Sequence, residues 1–503
     1  MLERPKVLWF GRPPNEHDLR EAKNRHLVIE AVPAGTVPVF RHARAAVFWA
    51  TPPYFESTAE ALEANLVAAI DEGLFLQIVV DGEGQRKEVS RVLDTILPNG
   101  APIDQHHRLR TVPVESHEGP NAALMHNPGP TANDRLEIKV PDDVALRPDQ
   151  RLLLQRAFHD CKSIELQLIT GGLSGALTLL VDATLADSNA GPRPMPFFAK
   201  LDAPGKLRKE MQRFEEFAEH HIRWYLRPNF VAERRIYAVH QGILVGTFVH
   251  PSKSLWEVVL AGDGPRHIRS LFEETLVVLR QEPKTSGPEI PGSVVEPLEQ
   301  FCNHARVPTP RVEAAKAFGG TVHEPRSLWR KLIGLPKQKW RRSAIHGDMH
   351  GGNVFVRKED AIVIDFAHAT TGPMSADLAS LEVWLAFKIP LDRAIDRDRW
   401  LQDTDRVYRP ESIDLAIAGL SLEQTNGVAH SCVREIRLLA QDSTYSAEEY
   451  RRVLAVYLLR YASFPPDKNC REEDEFRRTY AYWLANRLVM AICSTHEPQL
   501  EAA

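Results

Sequence analysis

Residues 344–366 read A-I-H-G-D-M-H-G-G-N-V-F-V-R-K-E-D-A-I-V-I-D-F. Its two short apolar runs, separated by R-K-E-D, are typical of two β-strands joined by a turn. Such a hairpin places Asn353 at the start of one strand beside Asp365 at the end of its partner, with Asp348 on the loop leading in. Because all three side chains offer oxygen atoms, the stretch predicts a Mg²⁺ site with a base for a hydroxyl proton.

The order H-G-D-M-H-G-G-N from His346, followed by I-D-F at residues 364–366, resembles the H-G-D-x-H-x-x-N … D-F signature of the aminoglycoside phosphotransferase and choline kinase family. Members of that family have a protein-kinase-like fold. The resemblance implies that Asp348 positions or deprotonates the acceptor hydroxyl, and that Asn353 and Asp365 hold the metal that bridges the nucleotide phosphates. We count His346 with the catalytic residues because we expect it to brace this loop through backbone hydrogen bonds.

The segment before this loop predicts a nucleotide-binding lobe. Residues 170–176 form a Gly-rich turn between two strand-like runs, a shape that folds backbone N–H groups over phosphates and is also that of an ordinary hairpin. The turn residues that we expect to bind nucleotide are Gly172, Ser174 and Gly175.

Lys200 ends the apolar run F-F-A-K, where burying an unpaired ammonium is unfavourable. In kinase-like folds such a Lys holds the α- and β-phosphates and pairs with a Glu on the following helix. Glu210 is the predicted partner, because it shares a helical face with Phe214 and Phe217. The alternatives are Glu215 and Glu216.

Residues 1–125 alternate strand-like runs with helical periodicity, which predicts a five-stranded parallel sheet with helices on both faces. The pattern resembles a response-regulator receiver domain, and a generic flavodoxin-like binding module is the alternative. A receiver needs an acidic pair, a phosphoacceptor Asp and a Lys at three strand ends. Those positions hold Gly11-Arg12, Thr51-Pro52-Pro53 and Glu115-Ser116. We therefore predict a receiver-like domain that lacks phosphorylation chemistry.

Composition narrows the function classes. The net charge of −5 argues against a nucleic-acid partner, since such partners select basic surfaces. The chain has no uninterrupted apolar run of about 18 residues, so we expect no membrane span. Its start lacks the apolar core of a signal peptide, and its five cysteines include no C-x-x-C pair. These features favour free thiols in the reducing cytoplasm.

Two features of the C-terminal half bear on the catalytic loop and on the acceptor. Asp377 lies in a G-P-x-x-x-D-L-A pattern that, in the resembled family, steadies the catalytic loop; the alternative is a plain helix-initiating Asp. Residues 472–475 (E-E-D-E) would suit a cationic acceptor or, alternatively, the start of a helix.

The predicted fold class is α/β plus α+β, and the chain of 503 residues is long enough for several domains. We expect a flavodoxin-like, receiver-like domain at 1–125, a linker at 126–134, a kinase-like nucleotide lobe at 135–255 and a helical lobe with the catalytic loop at 256–503.

The predicted function is that of a Mg²⁺-dependent kinase that transfers the γ-phosphate of ATP or GTP to a hydroxyl on a small molecule or a protein, in bacterial signalling or resistance. The alternative is a non-catalytic nucleotide-binding pseudokinase or scaffold, regulated by a protein partner through the receiver-like domain. The domain layout also resembles the bacterial ternary-complex-associated kinase-like branch.

Overall fold

The computed structural model of the chain describes residues 5–40, 43–97, 109–122, 130–142, 144–169, 175–189, 191–247, 252–285, 289–388, 397–417, 428–467 and 471–500. The chain divides into two compact units. The first comprises Met1–Lys209 and Asn229–His250, and the second Glu210–Pro228 and Pro251–Ala503.

The first unit begins with a five-stranded parallel sheet. Its strands are β1 (Lys6–Phe10), β2 (Val28–Ala31), β3 (Ala43–Ala50), β4 (Phe75–Val80) and β5 (Leu109–Pro113), in the order β2-β1-β3-β4-β5. The helices between them are Glu16–Asn24, Phe55–Asp71 and Glu83–Ile96. This strand order is that of doubly wound, flavodoxin-like domains. The central strands β3 and β4 are almost wholly apolar because both faces of the sheet are buried.

The second sheet of the first unit is mostly antiparallel. Its strands are β6 (Glu137–Lys139), β7 (Cys161–Leu168), β8 (Leu177–Leu185), β9 (Phe197–Asp202), β10 (Asn229–Phe230), β11 (Ile236–Tyr237) and β12 (Gly242–Thr247). The order is β10-β12-β9-β8-β7-β6, and β11 pairs with β12. The helix Pro148–Ala157 covers this sheet through a core that includes Leu153, Leu154 and Phe158.

Polar and apolar contacts join the two sheets of the first unit. The carboxylate of Asp71, at the end of the helix Phe55–Asp71, accepts a hydrogen bond of 2.8 Å from the Val239 N–H. Arg156 donates to the Asp71 carbonyl oxygen. The Val239 side chain belongs to the apolar core of the N-terminal sheet. The turn between β11 and β12 is therefore anchored on the N-terminal domain.

The second unit is largely helical. Its strands are β13 (Lys253–Ser254), β14 (Glu289–Gly292), β15 (Gln338–Ile345), β16 (Val354–Arg357), β17 (Asp360–Val363) and β18 (Thr370–Pro373), in the sheets β13-β16-β17 and β14-β15-β18. Its helices are Leu255–Leu260, Gly264–Ser270, Val277–Thr285, Thr309–Ala315, Pro325–Gly334, Ala376–Phe387, Arg397–Tyr408, Pro410–Ile417, Val428–Gln441, Ala447–Ser463 and Arg471–Leu500. The helix Pro204–Phe217 begins in the first unit and ends in the second.

Helical periodicity over residues 255–280 and 294–305 predicts two long helices, but neither is continuous. The first is interrupted after Leu260, where Gly262 adopts a left-handed φ of +89°, and it also contains a π-helical turn, Leu271–Thr275. The second consists of short 3₁₀ turns, because Pro297 lacks the N–H that an α-helix begun at residue 294 would use. Within the described ranges, no helix is both long enough and apolar enough to cross a membrane.

Candidate active site

The loop between β15 and β16 carries the residues predicted to act on the acceptor. It turns at Gly347, whose φ is +79°, and a Cβ added there would collide with the His368 carbonyl oxygen. Backbone N–H groups of His346 and Gly347 donate to the two carboxylate oxygens of Asp377 at 2.7 and 2.9 Å. Asp377 is buried at the start of the helix Ala376–Phe387, so it steadies the loop as the family pattern predicts.

Burial raises the pKa of Asp377, and neighbouring His346 together with the two backbone donors offsets only part of that effect. The carboxylate nevertheless uses both oxygens to receive N–H groups of the loop. Its contacts make it a support for the loop backbone.

Asp348 lies on this loop with its side chain 26% exposed. Its Oδ1 accepts a hydrogen bond of 2.6 Å from Nη2 of Arg460, and its Oδ2 lies 3.8 Å from Nε2 of His350. Burial raises the pKa of Asp348, but the charges of Arg460 and of the surrounding histidines outweigh it, so the pKa lies below its ordinary value. The carboxylate is therefore ionised at neutral pH and can accept a hydrogen bond from a hydroxyl group.

The hairpin of β16 and β17 brings the other two oxygen-bearing residues next to this loop. Val354 pairs with Val363, and the Ile364 N–H donates to the Asn353 carbonyl oxygen at 2.9 Å, so Asn353 and Asp365 lie at neighbouring strand ends. The Asn353 amide nitrogen donates to the Asp348 carbonyl oxygen at 3.0 Å. The hairpin expected from sequence thus forms. The Asn353 side chain connects it to Asp348, and the bond from Ile364 to Asn353 places Asp365 one residue beyond that pair.

The donor chemistry of Asn353 and Asp365 fits a hard divalent cation. Because Nδ2 of Asn353 is engaged with the loop, its amide oxygen is the atom that could act as a ligand. Asp365 has a left-handed φ of +62°, an uncommon backbone conformation that persists where surrounding structure enforces it. In the part of the chain that the structure describes, no three His, Cys, Asp or Glu residues form a metal cluster. Two oxygen donors suit Mg²⁺ that also takes oxygens from substrate phosphates.

The two histidines of the loop are occupied by backbone groups. Nε2 of His346 lies 2.9 Å from the Ile364 carbonyl oxygen and therefore donates to it, while Nδ1 accepts from the Asp348 N–H at 3.4 Å. The ring also packs edge-on against Phe366. Nδ1 of His350 accepts from the Gly352 N–H, and its ring stacks on Trp384. His346 thus braces the loop through its ring, which was the expected way for it to act.

Of the predicted nucleotide residues, Lys200 lies in β9 and Glu210 in the helix Pro204–Phe217. Both side chains are buried, whereas Glu215 and Glu216 are exposed, which favours Glu210 as the partner of the lysine. Lys200 and Glu210 belong to different compact units, and their pairing stays a prediction.

The remaining predicted nucleotide residues lie in the Gly-rich turn. Gly175 is exposed with a φ of +73°, a conformation that favours glycine. Gly172 and Ser174 lie outside the described residues.

Residues 472–475 are engaged in ion pairs. They begin the helix Arg471–Leu500, where negative charge is favourable. Arg397 pairs with Glu472 and Glu473, Arg478 pairs with Asp474, and Arg311 pairs with Glu475. This pairing favours the interpretation as a helix start over a cationic-acceptor site.

Arg460 was not among the residues predicted from sequence. It lies in the helix Ala447–Ser463, 112 residues after Asp348 of the loop that it contacts. The only local signal in the sequence is that a basic residue directly follows the apolar pair Leu458 and Leu459. In the structure, both of these leucine side chains are fully buried. A charged residue inside a buried helix requires a partner, but the sequence alone does not say which one.

A comparison with known protein families gives a match over part of the chain. Residues 190–410 match the family model described as a phosphotransferase enzyme family. The matched segment contains Lys200, Glu210, Asp348, Asn353 and Asp365. The resemblance to a phosphotransferase family is confirmed for residues 190–410, and this match supports a phosphotransferase.

Several solved structures are similar to this chain. Choline kinase from Cryptosporidium parvum Iowa II is 10% identical over 67% of this chain and 90% of its own, with a TM-score of 0.33. A choline/ethanolamine kinase family protein from Mesorhizobium loti is 13% identical over 65% and 92%, also with a TM-score of 0.33. A glucosamine kinase in complex with glucosamine, ADP and inorganic phosphate is 12% identical over 67% and 85%, with a TM-score of 0.31. The search of curated proteins gave no match.

Proposed function

We propose that this protein is a Mg²⁺-dependent kinase that transfers the γ-phosphate of ATP or GTP to a hydroxyl acceptor. The proposal rests chiefly on the placement of Asp348, Asn353 and Asp365 on one loop and one hairpin, where Asn353 bonds the Asp348 carbonyl oxygen and accepts from the N–H of Ile364, next to Asp365. A phosphotransferase family match over the same residues supports it.

In this proposal Asp348 acts on the acceptor. Its ionised carboxylate accepts a hydrogen bond from the hydroxyl and orients the oxygen toward the γ-phosphorus. It receives the proton as the new O–P bond forms, while the bond from the γ-phosphorus to the β,γ-bridging oxygen breaks and ADP or GDP leaves. The hydrogen bonds that Asp377 and His346 make to the loop hold Asp348 in place. Most of the rate enhancement would come from positioning and from fixed charges.

Asn353 and Asp365 would hold Mg²⁺, which neutralises charge on the transferred phosphoryl group. Lys200, oriented by Glu210, would contact the α- and β-phosphates, with Gly172, Ser174 and Gly175 contributing turn N–H groups. The burial of Lys200 and Glu210 supports this assignment, because buried charged side chains require partners.

The N-terminal domain has the strand order of flavodoxin-like domains, and we assign it no phosphorylation chemistry of its own. The positions after β1, β3 and β5 hold Gly11, Thr51 and Val114. Its attachment to the β11–β12 turn supports a structural or regulatory role beside the nucleotide lobe, including the binding of a protein partner.

A direct test is transfer of radiolabelled γ-phosphate by the purified full-length chain. With ATP or GTP and Mg²⁺ we expect hydrolysis or autophosphorylation, and no turnover when EDTA removes the metal. A panel of aminoglycosides, amino sugars, choline, polyols and proteins would then identify the acceptor as the compound that accelerates nucleotide consumption. Nucleotide binding without turnover under every condition would favour the pseudokinase alternative.

A further inference from the structure

Arg460 contacts the catalytic loop at two adjacent points. Its Nη1 donates to the Gly347 carbonyl oxygen at 2.8 Å, and its Nη2 donates to Oδ1 of Asp348 at 2.6 Å. Arg460 lies beyond residues 190–410, so the family match does not cover it. One guanidinium therefore fixes both the backbone of the loop and the side chain that we propose acts on the acceptor.

The Arg460 side chain is confined by aromatic rings. Its guanidinium carbon lies 5.5 Å from the ring centre of Phe301, 5.8 Å from that of Tyr457 and 5.7 Å from that of Phe464. The residue is 8% exposed. A planar group enclosed in this way has little freedom to reorient, so its two hydrogen bonds impose one direction on the Asp348 carboxylate.

The two oxygens of Asp348 are thereby made unequal. Oδ1 is held by Arg460, whereas Oδ2 lies 3.8 Å from Nε2 of His350, beyond hydrogen-bond distance. A hydroxyl group that approaches Asp348 would meet Oδ2. We infer that Arg460 is a positioning residue of the phosphotransfer reaction, which holds Oδ1 so that Oδ2 receives the acceptor hydroxyl; this inference rests on the proposed function.

The same helix supplies a matched control. Arg452 is also buried, at 2% exposed, and it also bonds one carboxylate and one backbone oxygen. Its Nε donates to Glu448 at 3.0 Å and its Nη1 donates to the Pro336 carbonyl oxygen at 2.8 Å. Neither partner belongs to the catalytic loop. The variants Arg460→Gln and Arg452→Gln therefore remove comparable contacts and differ in whether Asp348 loses a partner.

The experiment measures kcat and the KM for ATP in the full-length chain, using Mg²⁺-dependent γ-phosphate release. We expect Arg460→Gln to lower kcat by about 10- to 100-fold with the KM for ATP nearly unchanged, since the loss is one of orientation. Arg460→Lys, which keeps the charge but cannot make both hydrogen bonds in the same plane, should recover part of the loss. Arg452→Gln should keep the wild-type kcat.

A double-mutant cycle with Asp348→Asn isolates the interaction. If Arg460 acts through Asp348, then adding Arg460→Gln to Asp348→Asn should lower the remaining kcat by less than about twofold. Losses that multiply in the double variant, or equal losses of kcat in Arg460→Gln and Arg452→Gln, would overturn the positioning role while leaving the proposed function intact. If Arg460→Gln does not fold, Arg460→Lys takes its place in the cycle. Absence of turnover in the wild-type chain would instead reject the proposed function.

Discussion

The turn after β1 and the turn after β15 both contain a glycine with a positive φ, but the surroundings of the two turns differ. In each, a strand is followed by a glycine in the left-handed region, Gly11 directly and Gly347 after one residue, and then by a charged residue, Arg12 or Asp348. A Cβ on either glycine would collide with packed neighbours, so only glycine fits both turns. The local backbone alone therefore does not distinguish a structural turn from a candidate catalytic one.

The surroundings of the two charges differ. Arg12 pairs with Asp18 at 3.0 Å and stacks on Trp49, its guanidinium carbon 3.7 Å from the ring centre. The turn after β1 is thus filled by contacts within the N-terminal domain. Asp348 has one oxygen fixed by Arg460 and the other facing a histidine at 3.8 Å. A charged residue at a strand end becomes a candidate for catalysis when its neighbours fix one atom and leave another able to react.

The largest effect that would test this difference is expected from Asp348→Asn. The amide is a very weak base, so turnover should fall by about 10²- to 10⁴-fold. ATP binding, measured by calorimetry with Mg²⁺, should persist because Asp348 is assigned to the acceptor. The control is Asp18→Asn, which changes the buried carboxylate that pairs with Arg12 of the other turn. This variant should keep wild-type turnover. Equal losses of turnover in the two variants would remove the distinction between the turns.

A smaller effect is expected from Asp365→Asn. Removing the only carboxylate of the proposed Mg²⁺ pair should weaken Mg²⁺-dependent nucleotide binding by at least about 10- to 100-fold. Titration of ATP with Mg²⁺ and with EDTA separates this loss from metal-independent binding. If the variant and the wild type respond identically to Mg²⁺, the metal is held elsewhere.

The next largest effect is expected when alanine replaces the glycine of either turn. Gly347→Ala and Gly11→Ala should each lower stability by about 1–3 kcal/mol from backbone strain, with an added cost from the collisions. Gly82→Ala is the control, because Gly82 also has a φ of +87° but no atom within 4 Å of its added Cβ. Thermal unfolding would rank the three variants. We expect turnover to fall in Gly347→Ala and to survive in Gly11→Ala; the reverse pattern would contradict the assignment of the site.

The smallest effect concerns Asp71, a half-buried carboxylate of the N-terminal domain. Burial raises the pKa of Asp71, although the Val239 N–H and nearby positive charges partly oppose this effect. A carboxyl group with a raised folded-state pKa contributes stability that is fully present below its unfolded pKa and lost as pH rises through the folded pKa. Asp71→Asn keeps an acceptor for Val239 and should flatten this part of the pH profile of thermal stability above pH 4.

Asp71→Ala completes that test. It leaves the Val239 N–H without its acceptor and should cost about 1–3 kcal/mol relative to Asp71→Asn at any pH, because neither variant titrates at this position. A pH profile in Asp71→Asn that matches the wild type would show that Asp71 does not titrate differently on folding.

Much of this architecture was predictable because the signals are local. The apolar run K-V-L-W-F coincides with β1, and the run at residues 74–80 contains β4. The predicted hairpin appears as β16 and β17, since alternating apolar residues around a polar turn encode their own pairing. Where periodicity misled, as over residues 255–280, one glycine with a positive φ outweighed an otherwise helical pattern.

The sequence by itself determined the chemistry: H-G-D-x-H-x-x-N and I-D-F specify which oxygen-bearing side chains are available and at what spacing. Only the tertiary structure decided that Arg460, 112 residues after Asp348, holds one of its oxygens, and that Asp377 holds the loop backbone. The physical reason is that a motif fixes residue order within a short segment. The partner of a buried charge is chosen by helix packing, which joins residues that no local pattern connects.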